Sequence, residues 1–375
     1  MSNNTHITVV IKSILILMLI LLNSNMIFAS DYKEINSIIT DDHFNEIQKV
    51  LDEDIEYSFK EVFIDIFTGK DISDFNFIGF LRDFLLRECR KYTGLFVKII
   101  VIAILQSILS NLKTSLELKS VSNLCTYVIY TVFIITIIEV IGDSMSIIGT
   151  YLDFIVQFVY ALIPVYVSVL SFNLQVSTAL TLSPIILFYS NVVLHFYKNI
   201  LLNIVYVFSI MNLINILTEK SILDNFIEIS LKLIRAFIKY VTIGFIGIIS
   251  IMGVYAPISS NLAIKTGKYF IKGVPIVGNT LESAMDTYSL LGDVTKNTFV
   301  TTVVIFSLLY AFIYIVQVVI KNLVLYASSI VVSVVTDKKI TRAINNSIKF
   351  LEIYIAIGFS TFIFVSYSII VIIFI

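Results

Sequence analysis

The 375-residue chain has no tryptophan, two cysteines, three histidines and four prolines, and only 14% of its residues are charged. A soluble domain carries charge on about a quarter of its positions. A large water-facing globular protein is therefore excluded. The net charge of −1 provides no field that would attract nucleic acid. His6, His43 and His195 stand far apart, no HExxH or CxxC occurs, and Gly69-Lys70 and Gly267-Lys268 lack the upstream glycine of a P-loop. The chain carries the signature of neither a cofactor or metal site nor a nucleotide hydrolase. Cys89 and Cys125 fall before and within different apolar runs, so the sequence predicts two separate apolar thiols and no disulfide.

What is present is apolar. Hydrophobic residues make up 58% of the chain and mean hydropathy is +0.94. From Phe154 to Tyr197 there is no Asp, Glu, Lys or Arg. One bilayer span needs about 20 residues, so that stretch reads as two spans around a polar turn of Ser171, Asn173, Gln175, Ser177 and Thr178. Charge-free runs recur at 120–138, 199–218, 240–264, 297–320 and 353–375. The expected fold class is all-α: a polytopic helical membrane protein with about eight mature transmembrane helices after an N-terminal signal peptide, plus amphipathic interfacial helices. The expected spans are 93–112, 120–140, 153–172, 178–196, 199–218, 240–258, 298–320 and 353–375.

Three regions follow from this pattern. Residues 1–29 read as a signal peptide: Lys12, an apolar run from Ile14 to Leu22, and a cleavage site after Ala29. Residues 30–91 read as an exported acidic helical region. Asp41-Asp42 start one helix there, and Phe59, Val62, Phe63 and Ile66 mark a second that Gly69 stops. A third, with Phe77, Phe80, Leu81, Phe84 and Leu85 opposite Arg82, Arg87, Arg90 and Lys91, suits either the headgroup layer or packing on a neighbour. Residues 92–375 form the multi-span domain, with amphipathic loops at 219–239, 259–297 and 321–352; residues 322–336 suit an interfacial or re-entrant helix.

With 31–91 exported, loops 113–119, 173–177, 219–239 and 321–352 lie inside and carry 11 Lys/Arg. Loop 139–153, position 198 and loop 259–297 lie outside and carry 5. That bias agrees with the positive-inside rule. Glu139, Asp143 and Asp153 give the outer loop its acidic character.

Candidate functional residues are few. Gly142-Asp143-Ser144-Met145 superficially matches the nucleophile segment of GDS esterases, but no histidine stands where it could serve. No residue is assigned a catalytic role. Pro164 and Pro184 fall in adjacent spans, where each removes a helix hydrogen bond; paired kinks form either a gate or passive curvature. The loop after the sixth span carries Lys265, Lys268 and Lys272, then the breakers Gly273, Pro275 and Gly278, then an amphipathic stretch containing Asp286. Lys265, Lys268, Pro275, Gly278 and Asp286 are the candidate interaction residues, with Pro164 and Pro184 as candidate gating positions.

The segment from Ile264 to Thr287 resembles the stage III sporulation protein AE family. Lys265 and Lys268 match its basic pair, Pro275-Ile276-Val277-Gly278 its P-V-V-G element, and Ala284-Met285-Asp286-Thr287 its A-x-D-T. Residues 79–88 (GFLRDFLLRE) and 161–170 (ALIPVYVSVL) continue the likeness. Ser260-Asn261, Gly267 and Asn279 depart from it. The resemblance implies a protein of the mother-cell membrane around the forespore. Its implied partners are the other membrane and ring components of the stage III sporulation A assembly, that assembly's separate ATPase and, indirectly, stage II sporulation protein Q. The implied role is a structural or conducting subunit of a secretion-system-like channel between mother cell and forespore. The competing reading is a stand-alone secondary transporter or permease. Span interiors almost free of charge and the lack of repeated halves lean against it.

Overall fold

A computed structural model describes residues 39–51, 57–70, 77–115, 119–172, 188, 190–217, 223, 225–248, 278–336 and 338–373. Every element among these is helical. Two short helices, α1 (Asp41–Val50) and α2 (Phe59–Phe67), precede six long ones. These are α3 (Phe77–Ser115), α4 (Lys119–Phe172), α5 (190–217), α6 (225–248), α7 (Gly278–Val335) and α8 (Lys338–Ile373).

The short helices follow the sequence expectation closely. Thr40, extended at φ −79°, is the N-cap of α1; Asp41 and Asp42 occupy the first turn, where the helix dipole favours negative charge. Gly69 terminates α2 at φ 86°, a conformation open to a residue without a β-carbon. Phe44 packs on Phe59 and Phe63, with ring centroids 6.4 and 5.3 Å apart. Gln48 Oε1 accepts from Phe59 N at 2.9 Å, which ties the second helix to the first. The pair then docks on the long helices through Phe59 and Phe306, 5.2 Å apart. Phe59, Val62, Phe63, Ile66 and Phe67 are all buried.

The long helices differ from expectation in where they stop. At 1.5 Å per residue, α4 is about 81 Å long and α7 about 87 Å, each far beyond the roughly 30 Å of a hydrocarbon core. The expected outer loop 139–153 is the middle of α4. Its acids each find a lysine on another helix, so no solvent-exposed turn is required. The expected outer position 198 lies inside α5, where π-turns at Ser190–Leu194 and Tyr197–Leu201 run into an α-helix at Leu202–Leu217. Residues 322–336 are the end of α7 and its C-terminal junction, not a separate re-entrant piece. The amphipathic stretch 77–91 runs on as the same helix as the span that follows; it does not turn into a headgroup plane. Five described helical segments are long and apolar enough to cross a membrane: Gly79–Ser110, Leu124–Val169, Val192–Asn215, Val294–Val335 and Lys339–Ile369.

Side-chain pairs fix the topology. Phe84 meets Phe312, and Tyr92 meets Lys321, so α3 and α7 are parallel. Phe154 stacks on Tyr310 and Tyr151 lies by Tyr314, so α4 runs against α7. Ser329 and Tyr326 reach Asn345 and Glu352, which makes α7–α8 an antiparallel hairpin. Asn212 pairs with Asn346 and Tyr197 with Ser360, so α5 opposes α8. Phe226 packs on Phe208 and Phe237 on Phe196, so α6 opposes α5. The six helices therefore alternate in direction. One end, called upper below, holds the α3–α4 and α7–α8 turns. The lower end holds the start of α3 and the end of α8.

The core is the α7–α8 hairpin. No large apolar side chain is exposed from Val294 to Ile320 or from Lys339 to Ile369. A close approach at Gly358 sets the spacing: a β-carbon there would lie 2.9 Å from Ile315 Cγ1. Pro164 lies within α4, where its ring nitrogen has no hydrogen for the preceding turn. Ser168 Oγ donates to the Pro164 carbonyl at 3.0 Å.

Candidate functional site

Three acids on α4 each meet a lysine from a different helix. Glu139 faces Lys98 of α3 at 3.3 Å, Asp143 pairs with Lys321 of α7, and Asp153 holds Lys198 of α5 at 2.6 Å. The helix spaces them so that one rod cross-links three neighbours. Across the bundle, Arg235 of α6 donates to Glu352 of α8 at 2.8 Å, and Tyr326 of α7 donates to the other carboxylate oxygen at 3.0 Å. Together these groups form an ionic belt that joins all six long helices. The Asp153–Lys198 pair lies about 15 Å below Asp143 along α4.

Lys321 is the centre of the belt. Its side chain is 1% exposed, whereas the Asp143 carboxylate is 60% exposed. An ammonium taken out of water is costly unless paired, and Asp143 supplies the pairing charge. The Tyr92 ring stands 5.2 Å from Lys321 Nζ, a cation–π distance. Glu88, one turn before Tyr92 on α3, is buried; its Oε2 lies 3.7 Å from Lys91 Nζ and accepts no hydrogen bond. The cluster Glu88, Lys91, Asp143 and Lys321 carries two charges of each sign. It sits where α3, α4 and α7 meet. Ionisable groups of this kind inside an apolar bundle are functional-site candidates with nameable partners.

Two neutral networks reinforce the belt. Tyr197, Ser360 and Thr242 share hydrogen bonds of 3.3 and 2.8 Å and join α5, α8 and α6. Asn346 Nδ2 donates to Asn212 Oδ1 at 3.0 Å, and Ser329 Oγ to Asn345 Oδ1 at 2.6 Å. Of the amides expected to mark helix contacts, Asn212 does so here. The arrangement can fix helix positions and hold charge in a low-dielectric setting.

The sequence-predicted residues fall mostly elsewhere. Lys265, Lys268, Pro275 and Pro184 lie outside the described residues. Gly278 opens α7, Asp286 lies within its first turns, and Pro164 is inside α4. Ser144 is fully buried and donates to the Val140 carbonyl at 2.7 Å, as an ordinary helix serine does. Cys89 and Cys125 are both free thiols.

The pairing of Lys321 with Asp143 corrects the sequence-based topology directly. That reading put Asp143 in an outer loop and Lys321 at an inner one, on opposite sides of a membrane. In the structure they touch, because α4 and α7 continue straight through both positions. The pair had a sequence signal. Lys321 is the lone charge between Asn297 and Thr336, and Lys98 and Lys198 also stand isolated in apolar surroundings. Three solitary lysines match three acids crowded on one segment.

Comparison with known proteins agrees with the resemblance. The sequence profile described as stage III sporulation protein AE matches residues 57–375. A stage III sporulation protein AE from Bacillus subtilis (strain 168) is 25% identical over 232 residues, which cover 61% of this chain and 58% of that protein. The chain thus aligns with little more than half the length of that relative. No solved structure matches. With the profile extending over α2 to α8 and beyond the ionic belt at both ends, the chain belongs to the stage III sporulation protein AE family.

Proposed function

We propose that this protein is an integral membrane subunit of the transenvelope channel that links mother cell and forespore during endospore formation. It would sit in the mother-cell membrane. The observation that carries the reading is the family match over residues 57–375, joined to a bundle whose charged groups are consumed in holding helices together. Transport by a single protein calls for an ionisable group exposed alternately to the two sides. Here Lys321 is locked between Asp143 and the Tyr92 ring. A structural role, or a conducting role shared with other subunits, fits that better than a permease working alone. No residue is assigned a catalytic part. The partners proposed are the membrane and ring components of the stage III sporulation A assembly and its separate ATPase, with stage II sporulation protein Q reached indirectly. Lys265 and Lys268, on the exported side in this reading, are the proposed contacts to an acidic partner surface or to anionic headgroups.

The test is affinity purification of a tagged, functional protein from sporulating cells. Recovery of the other assembly components in fixed ratio supports the channel reading. Recovery alone, with solute uptake by the protein in liposomes, refutes it in favour of a permease.

A further inference from the structure

The exposed apolar surface is not spread evenly along the bundle. Above the belt, α3 exposes Val97, Val101, Ile104, Leu105 and Ile108. The facing part of α4 exposes Leu124, Tyr127, Val128, Val132 and Ile135, and α7 above Lys321 exposes Leu323, Tyr326, Ile330 and Val334. Below the belt the same three helices change character. α3 turns outward Arg82, Asp83, Arg87, Arg90 and Lys91. α4 exposes only Tyr160 among its large apolar residues, and α7 exposes none from Val294 to Ile320. There the core is covered by α1 and α2, whose outer faces carry the Lys60–Asp41 and Lys70–Asp65 pairs. Hydropathy alone would put the bilayer on 298–320 and 353–373. Those are the segments most completely sealed by protein.

The upper region has the dimensions of a membrane. Residues 120–138 of α4 contain no charge and span about 28 Å; residues 322–337 rise about 24 Å, with one acid at their end. A hydrocarbon core is about 30 Å thick. Lysines occupy positions 113, 119, 338 and 339 at the upper end, and Lys98–Glu139 and Lys321–Asp143 close the lower end. An apolar band with basic residues at one edge and paired charges at the other is the profile of a lipid-facing surface. Its basic edge also lies where the positive-inside rule puts the cytoplasm.

We infer that the bilayer is registered above the ionic belt. Lipid acyl chains contact the α3–α4 hairpin beyond Lys98–Glu139 and α7 beyond Lys321. The sealed α7–α8 core below the belt, with α1 and α2 packed on it, stands outside the hydrocarbon on the exported side. The inference rests on the membrane reading above and does not need the channel partners. α5 and α6 expose apolar residues on both sides of the belt, including Val192 and Tyr240, so they supply an internal control.

The experiment uses full-length protein in vesicles of phosphatidylethanolamine and phosphatidylglycerol, with Cys89→Ser and Cys125→Ser. Nitroxide labels go singly at Val101→Cys, Val128→Cys, Ile330→Cys, Tyr160→Cys and Val192→Cys. All five positions are exposed, so the label displaces no packing. Collision rates are measured with oxygen, which concentrates in lipid, and with a water-soluble nickel chelate. The expected result is oxygen dominance at 101, 128 and 330 and reversal to nickel dominance at 160 and 192. Oxygen dominance at 160 or 192 places acyl chains below the belt and overturns the registration. Nickel dominance at 101 and 128 puts the hairpin in water and also overturns it. Shielding from both reagents at 101 and 128 means protein covers the hairpin, which refutes lipid as its occupant. Loss of partners in the purification experiment changes none of these readings.

Discussion

The two ends of the Lys321–Asp143 pair should respond very differently to removal. Lys321 is 1% exposed and Asp143 60% exposed. Asp143→Asn deletes the half that water can reach and strands the ammonium inside the bundle. Leaving one partner of a buried pair uncompensated costs about 3–5 kcal/mol. Glu88 is close enough to soften that loss, so the lower end of the range, about 3 kcal/mol, is expected. Lys321→Met keeps the length and packing of the side chain and leaves an acid that water solvates. Its cost is about 1 kcal/mol, through the lost pairing and the lost neighbour of Glu88. The double substitution removes the stranded charge, so it should return close to the Lys321→Met value. A coupling of about 2 kcal/mol follows, within the range for residues in contact. Helix content followed through a denaturant titration in mixed micelles gives the four stabilities. Equal losses for the two single variants would refute the burial asymmetry. Strict additivity in the double variant would refute the pairing itself.

Other sites give sharper yes-or-no outcomes. Gly358→Ala places a methyl against Ile315 and should cost about 1–3 kcal/mol; adding Ile315→Val should recover part of it, measured in the same titration. Phe59→Ala should cost about 3–5 kcal/mol of docking and release α1–α2, read as protease cleavage between residues 70 and 77 with the long helices intact. Ser144→Ala should leave spore yield unchanged, because its hydroxyl serves its own helix; a sporulation defect at normal protein level would contradict this. Lys265→Glu with Lys268→Glu should abolish co-purification of the assembly while the protein still inserts; normal assembly and spore formation would reduce that loop to a connector.

How much of this was legible in the chain depends on which physical signal a residue emits. Helix type was plain: charge-free runs, periodic phenylalanines in 59–66 and the stop at Gly69 all led to the elements seen. Helix ends were not. A charged residue between two apolar runs reads as a loop, because water is the default partner for charge. Glu139, Asp143 and Asp153 broke that reading by finding Lys98, Lys321 and Lys198 instead. Once each acid has a base, nothing forces the chain out of the helix, and Lys119–Phe172 continues without interruption. The same substitution of partner for solvent explains Lys198 inside α5. It also explains why a count of spans from hydropathy divides two rods into four pieces. Hydropathy measures how much a segment avoids water, and it cannot tell lipid from protein as the refuge. For α7 below Lys321 the refuge is α2, α3, α4 and α8, with Phe59, Phe312 and Tyr310 at the contacts. For Val101 and Val128 none of the described residues provides it. The difference is visible only when side-chain exposure is set against position along the bundle. It is also what makes isolated, sign-matched charges in apolar runs better markers of long-range contact here than of the membrane boundary.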